Sequence, residues 1–452
     1  MAGRSNGGPN APTIEILRNG TLREEVRRAV FPGGLQVYFC PKRGFRKRYA
    51  CYSTHYGSID SVFAAPGETE PRGVPDGIAH FLEHTLFETP QGNAAELFAR
   101  NGAYSNAATS FSTTTYLFSA ADRFFENLGL LLEFVETPTF SAPKVEKEKG
   151  IIEQEIQMCR DDPGWAAYMG LLESLFVRHP LRLDIAGSPE SIRKIDVETL
   201  TRCHRTFYAP RNMILFVVGD LDGDEVLGFV GERSNGASAA GPSGSTAGAG
   251  PDGSEIPRAY PEEPPEVARP EFSKQMEVAL PKVLMGFKEV GAPAAGPEFL
   301  QRELISEFAL DFLFGRSSDG FQRLYEAGLI FDDFGASFHS CAGVAYCAVG
   351  GETPKPREMR EAVLAEILRV REQGFPPEDF ERQKRKFIGS FIRHFNSLEY
   401  IAGNYTYFRF HGVDLFDAVD SLGAMRREEV EERLRSLDPS RCAVSTILPT
   451  VE

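Results

Sequence analysis

The sequence predicts an α+β protein of two similar halves, each an antiparallel-rich sheet covered by helices in an α/β sandwich. Three observations lead there. The chain has 452 residues, too many for one ordinary core and suited to two domains of roughly 200 residues each. From Ser234 to Gly253 it is almost wholly Gly, Ala, Ser and Pro, and from Pro257 to Pro270 it is rich in Pro and Glu. Such compositions read as a flexible linker and an extended spacer, neither of which buries enough apolar surface to order itself. The segments on either side repeat one order of elements. The expected organisation is therefore a first domain over 1–233, a linker over 234–268 and a second, homologous domain over 269–452.

Each half opens on β-patterned segments, 35–40 and 49–56 in the first, 275–280 and 284–289 in the second. Helical patterns follow, then a hairpin-like pair: 104–111 with 114–119, and 334–340 with 344–350. More helices come next, and each half closes on a strand, 213–219 and 443–448.

Composition narrows the function. Hydrophobic residues make up 42% and charged residues 25%, as in a globular protein. A net charge of −15 argues against a general nucleic-acid binder, which presents a basic face. The N-terminal residues hold no apolar core of signal-peptide length, and the longest apolar run, Met213 to Val218, is far short of a membrane span. Seven scattered cysteines without a C-x-x-C pair read as reduced, buried thiols. Together these predict a soluble cytoplasmic protein.

The sharpest motif is His80-Phe81-Leu82-Glu83-His84. On a helix, His80 and His84 lie one turn apart on one face with Glu83 beside them, the spacing two imidazoles need to reach one cation. Pro75 suits the preceding turn, and Asp76 is the expected N-cap. Ile78, Ala79, Phe81, Leu82, Leu86 and Phe87 make the helix apolar on nearly every side, so it should be buried. Its polar groups then need strong partners, which a metal or a hydrogen-bond network supplies.

A catalytic zinc site usually has three protein ligands. The segment 145–159, VEKEKGIIEQEIQMC, offers candidates. At 100° per residue, Val145, Ile151, Ile152, Ile156 and Cys159 define an apolar stripe, with Glu148 and Glu155 inside it and Glu146 and Glu153 on the other side. Two inward carboxylates are costly unless paired, either with a metal and its histidines or with an arginine elsewhere.

This pattern, H-x-x-E-H followed by E-x6-E, resembles the inverted zinc motif of the pitrilysin, insulinase and mitochondrial-processing-peptidase family. The likeness extends through Gly57-Ser58-Ile59-Asp60, Asn106-Ala107-Ala108-Thr109 with Thr115-Tyr116, the run His179-Pro180-Leu181 through Gly187, and Phe207-Tyr208-Ala209-Pro210-Arg211-Asn212-Met213. The stretch from Glu146 to Trp165 is most similar to a bacterial two-chain branch. The resemblance implies half of a clamshell, one Zn2+ per chain held by His80, His84 and Glu155, Glu83 as general base and Glu148 as a supporting carboxylate. It also implies that an extended peptide pairs with an edge strand over 106–111, with Asn106 and Ala107 as substrate contacts. The expected activity is zinc-dependent endopeptidase hydrolysis of peptides or unstructured segments.

Members of this family close over the peptide with a second wall carrying an Arg and a Tyr. In the corresponding stretch, Ser317 to Leu329, Tyr325 stands near the place of that Arg, and Phe331 just beyond it near the Tyr, with Arg323 as a conceivable substitute. The expected partner is a homologous chain that carries the Arg–Tyr pair, forming a heterodimer; a homodimer is the alternative. The rival functions are a non-catalytic peptide-binding or core-type subunit of the same fold, and a structural metal site. An intact motif argues against the first, and Glu83 between the histidines against the second. Other features are read as structural: the basic cluster Lys42, Arg43, Arg46, Lys47 and Arg48 as a solvated hairpin tip, the aromatic run from Tyr405 as core, and the six remaining histidines as isolated from any ligand spacing.

Overall fold

A computed structural model describes residues 12–240 and 256–450. The chain forms two compact units, each discontinuous in sequence. Among the described residues, the first comprises 12–154, 185–240, 256–259 and 394–407; the second comprises 155–184, 260–393 and 408–450.

The first unit is built on a seven-stranded sheet. Its strands lie in the order Thr13–Asn19, Glu24–Val30, Gln36–Pro41, Met213–Gly219, Arg48–Thr54, Thr114–Ala120 and Ala103–Thr109. Only Gln36–Pro41 and Met213–Gly219 run parallel; the other neighbours are antiparallel. Met213–Gly219 is buried at every residue, which explains its unbroken apolar sequence. The strands Thr13–Asn19 and Glu24–Val30 were not expected. They pair in one hairpin, half-exposed and crossed by Arg and Glu, so they lack the apolar density that marks the other strands.

The second unit has a five-stranded sheet in the order Glu271–Met276, Cys442–Pro449, Lys282–Val290, Val344–Glu352 and Gly335–Cys341. Its first pair is parallel and the rest antiparallel. In sequence order and sheet position these strands repeat those from Gln36–Pro41 onward in the first unit. The two units are therefore copies of one α+β plan.

Each unit takes one helix from the other half of the sequence. Helix Pro163–Leu175 packs on the second sheet. There the close approach uses glycines: a Cβ on Gly170 would stand 2.3 Å from Phe272 Cδ1, and one on Gly286 would stand 2.7 Å from Leu175 Cδ1. Residues 398–407 of helix Leu398–Phe410 pack on the first sheet. The Tyr405 ring, fully buried, lies 5.3 Å from Tyr38 and 5.2 Å from Phe216.

Two loop expectations are corrected. Strands Gln36–Pro41 and Arg48–Thr54 flank Met213–Gly219 and do not form a hairpin. The basic cluster between them is not a free tip: Lys42 is buried, bonding Glu24 and the Phe395 carbonyl (2.9 Å), and Lys47 pairs with Glu399. Of the expected linker, 241–255 lies outside the described residues, and helix Gly223–Ala240 runs into its first part. The Pro- and Glu-rich stretch is ordered by polar anchoring. Residues 257–259 bond the backbone of Ala64 and Val62. Glu263 accepts from the amides of Val177, Arg178 and His179 and from Lys288 at 2.5 Å.

Two buried histidines give the fold an acid limit. His204 bonds the Val135 carbonyl (2.9 Å) and stacks on Tyr208; His179 lies against Phe176 and Tyr260. Burial disfavours the imidazolium and pushes both pKa values down from the usual 6.5 to about 4. Between those values the unfolded chain binds more protons than the folded one, so stability present above pH 6.5 falls as pH drops toward 4. The thermal midpoint is expected to decline across that window, and less steeply in His204→Gln. An unchanged slope in the variant would remove His204 from the explanation.

Candidate metal centre

Helix Ile78–Leu86 carries the histidine motif, and glycines set its start. Gly77, at φ +86°, is the N-cap; no side chain caps the helix, so the expected Asp76 cap is not formed. A Cβ on Gly77 would stand 2.4 Å from the Ala186 carbonyl oxygen, and one on Gly187 would stand 2.5 Å from the Asp76 oxygen. Two glycines thus let the 76–77 and 186–187 backbones touch, and Ser191 Oγ donates to the Asp76 carbonyl at 2.8 Å. Beyond this start, Ile78, Ala79, Phe81, Leu82 and Leu86 are all buried.

Helix Ala142–Asp161 supplies the carboxylates. Val145, Ile152 and Ile156 are buried and fix its rotation, whereas Ile151 is exposed and leaves the expected stripe. Glu148 is 6% exposed. Its Oε1 lies 2.9 Å from His84 Nδ1. One side of the helix away from this contact faces solvent: Glu146 pairs with Lys149 (2.7 Å) and Glu153 with Arg193 (2.7 Å). Two turns on from Glu148, Glu155 comes to the histidines. One ligand atom each from His80, His84 and Glu155 lie within 4.8 Å of one another, and the imidazole centroids are 4.6 Å apart.

This set fits zinc. Two nitrogens and one oxygen match its preferred donors, and a cation with bonds of about 2.0–2.2 Å would draw them together by small side-chain rotations. With Nδ1 engaged by Glu148, His84 would offer its Nε2 to a metal, and such a contact fixes tautomer and ring orientation in zinc-binding histidines.

Glu83 stands beside the triad, 8% exposed, and its Oε2 accepts a hydrogen bond from Thr109 Oγ1 at 2.7 Å. Beneath it the hydroxyls of Tyr116 and Tyr208 meet at 2.8 Å. Burial first, and the nearby Glu83 charge further down the order, hold both phenols well above their usual range. Neither phenol therefore ionises near neutral pH. Thr109, Tyr116 and Tyr208 lie in motifs quoted from the sequence, yet nothing in the spacing assigned them a place beside Glu83; only the fold brings them together.

The strand proposed to receive a peptide is Ala103–Thr109, two residues short of the expected end at Phe111. It is one edge of the seven-stranded sheet, opposite Thr13–Asn19. Asn106 is exposed and Ala107 half-buried. The Gly57–Asp60 motif supports the end of this strand. Ser58 and Ile59 amides bond the carbonyls of Ser110 and Phe111 at 3.1 Å each, and a Cβ on Gly57 would collide with Phe111 at 2.3 Å. Asn212 likewise ties Thr54, His55 and Phe207 together through one amide. These motif residues build the frame and do not line the centre.

A mixed sheet-and-helix fold that brings two imidazoles and a carboxylate from neighbouring helices within reach of one another, with two further carboxylates alongside, forms a candidate metal centre. Two family models match the chain: "Insulinase (Peptidase family M16)" over residues 70–188 and "Peptidase M16 inactive domain" over 194–387. A Bacillus subtilis (strain 168) protein described as uncharacterized zinc protease YmfH is 40% identical over 439 residues, spanning 96% of this chain and 99% of that one. A crystal structure of an M16-like peptidase from Alicyclobacillus acidocaldarius is 35% identical with a TM-score of 0.88, over 94% of this chain and 99% of that one. Pitrilysin shares the fold at a TM-score of 0.72 and 16% identity, this chain spanning 47% of its length. The chain belongs to the M16 peptidase family. Among the described residues, no helix is long and apolar enough to cross a membrane.

Replacing Glu148 by Gln keeps the shape but weakens the acceptor at His84 Nδ1. Zinc affinity, measured by competition with a chelating dye, is expected to fall about 10–100-fold. Unchanged affinity would show that this contact does not tune the ligand.

Proposed function

We propose that this chain is a zinc-dependent endopeptidase, with one Zn2+ held by His80, His84 and Glu155, acting on peptides or unstructured polypeptide segments. The observation that carries the reading is the convergence of those three side chains with Glu83 beside them. When bound, zinc supplies Lewis acidity that polarises a peptide carbonyl and acidifies water. Glu83 takes the proton of the attacking water on its carboxylate and returns it to the leaving amine nitrogen. Glu148 holds the His84 ring. A structural site would have no use for Glu83, a nearly buried carboxylate kept beside the ligands.

The edge strand Ala103–Thr109 offers backbone groups to an extended peptide, with Asn106 and Ala107 as contacts. Strand addition reads the backbone and so favours unfolded substrates over a fixed sequence.

The second wall is proposed to come from a homologous chain carrying an Arg–Tyr pair. In this chain Tyr325 and Phe331 are exposed. Arg323 is held by its own unit through Glu366 (2.7 Å), which also binds Arg369. A guanidinium engaged in that network is poorly placed to serve a substrate.

The test uses a quenched unstructured peptide, with the chain alone and mixed with such a homologue. Chelator-sensitive cleavage is expected only in the mixture, and Glu83→Gln should abolish it while retaining zinc. Cleavage by the chain alone would favour the homodimer. Undiminished cleavage by Glu83→Gln would remove Glu83 as the base, and no cleavage with zinc bound would favour the non-catalytic subunit.

A further inference from the structure

We infer that Thr109 is a positioning residue for the general base: its hydroxyl holds one oxygen of Glu83 so that the other is left to receive the proton. The inference rests on the peptidase reading and deepens it.

A glutamate side chain has three torsions, and a helix backbone alone does not choose among their rotamers. Glu83 extends from helix Ile78–Leu86 toward the end of strand Ala103–Thr109, and the partner that meets it there is Thr109 Oγ1, 2.7 Å from Oε2. At 8% exposure little water reaches this carboxylate, so a single donor has a large say in its orientation.

Thr109 is suited to the task. It is the last residue of the strand, paired directly with Thr114, where the hairpin backbone is fixed. Branching at Cβ restricts χ1, so its hydroxyl is aimed before any substrate arrives. Thr114 is itself tied down, its Oγ1 donating to the Tyr56 carbonyl at 2.9 Å. On the far side, the paired Tyr116 and Tyr208 hydroxyls satisfy each other at 2.8 Å.

The bond has a directional consequence. Oε2 accepts from Thr109, so the proton taken from water goes to Oε1. It also places the base at the end of the strand proposed to receive the peptide. Glu83 and the bound backbone are thereby referred to the same seven residues. A base displaced by about 1 Å loses on the order of 100-fold in rate, which sets the scale of the effect.

The test compares Thr109→Val, which keeps the shape and removes the donor, with Thr109→Ser, which keeps the donor. Both are assayed with wild type in the peptide-cleaving mixture, alongside zinc content and thermal midpoint. Thr109→Val is expected to lower kcat about 10–100-fold, with KM and zinc content within about twofold of wild type. Thr109→Ser is expected to recover kcat to within a few-fold of wild type. Wild-type kcat in Thr109→Val would overturn the inference. So would a rise in KM alone, or loss of zinc, which would give Thr109 to substrate or metal binding. Should Thr109→Val fail to fold, Thr109→Asn, whose amide donor sits further from the backbone, is compared with Thr109→Ser: a loss of kcat in Thr109→Asn that Thr109→Ser does not share is expected, and wild-type kcat in Thr109→Asn would overturn the inference. Absence of cleavage in wild type with zinc bound would instead count against the peptidase reading itself.

Discussion

Helix Ile78–Leu86 is buried along nearly its whole length, and three of its nine residues are His80, Glu83 and His84. Burying such groups without partners would cost several kcal/mol, so neighbouring elements have to bring polar atoms to them. Helix Ala142–Asp161 brings Glu148 to His84 and Glu155 to both histidines. The hairpin brings Thr109 to Glu83. Each supplier is in turn held in place by apolar packing or by backbone contacts that only glycine permits.

The family motifs outside the centre follow from that requirement. Gly77 and Gly187 allow two backbones to touch where the helix begins, and either one replaced by alanine would drive a Cβ into a carbonyl. Gly57 does the same under the turn that ends the edge strand. Asn212 joins three chain segments with one side chain. None of these residues performs chemistry, yet the position of the centre depends on them.

Much of this was legible in the sequence. A period of about 100° per residue separated Glu148 and Glu155 from Glu146 and Glu153, because charge on a buried stripe is conspicuous. The repeated order of strands was visible because hairpins and central strands carry strong apolar signals. The exchange of helices between the two halves was not. Periodicity shows that Pro163–Leu175 buries a face but does not say which sheet receives it, and Gly170 gains its meaning only against Phe272. The anchoring of residues 257–270 was hidden for a related reason: Glu263 orders its segment with hydrogen bonds, whereas composition registers only apolar area. Thr109 was visible as part of a motif and silent about its partner, since its contact with Glu83 spans 26 residues.

The proposed activity rests on one zinc held between two helices by His80, His84 and Glu155. X-ray absorption at the zinc edge of the purified, metal-loaded protein tests it most directly. A single zinc with two imidazole nitrogens and carboxylate oxygen at about 2.0–2.2 Å is expected, with loss of the carboxylate signature in Glu155→Gln. A sulfur ligand at about 2.3 Å, which would implicate Cys159 one turn further along the helix, or a spectrum indifferent to Glu155→Gln, would contradict it.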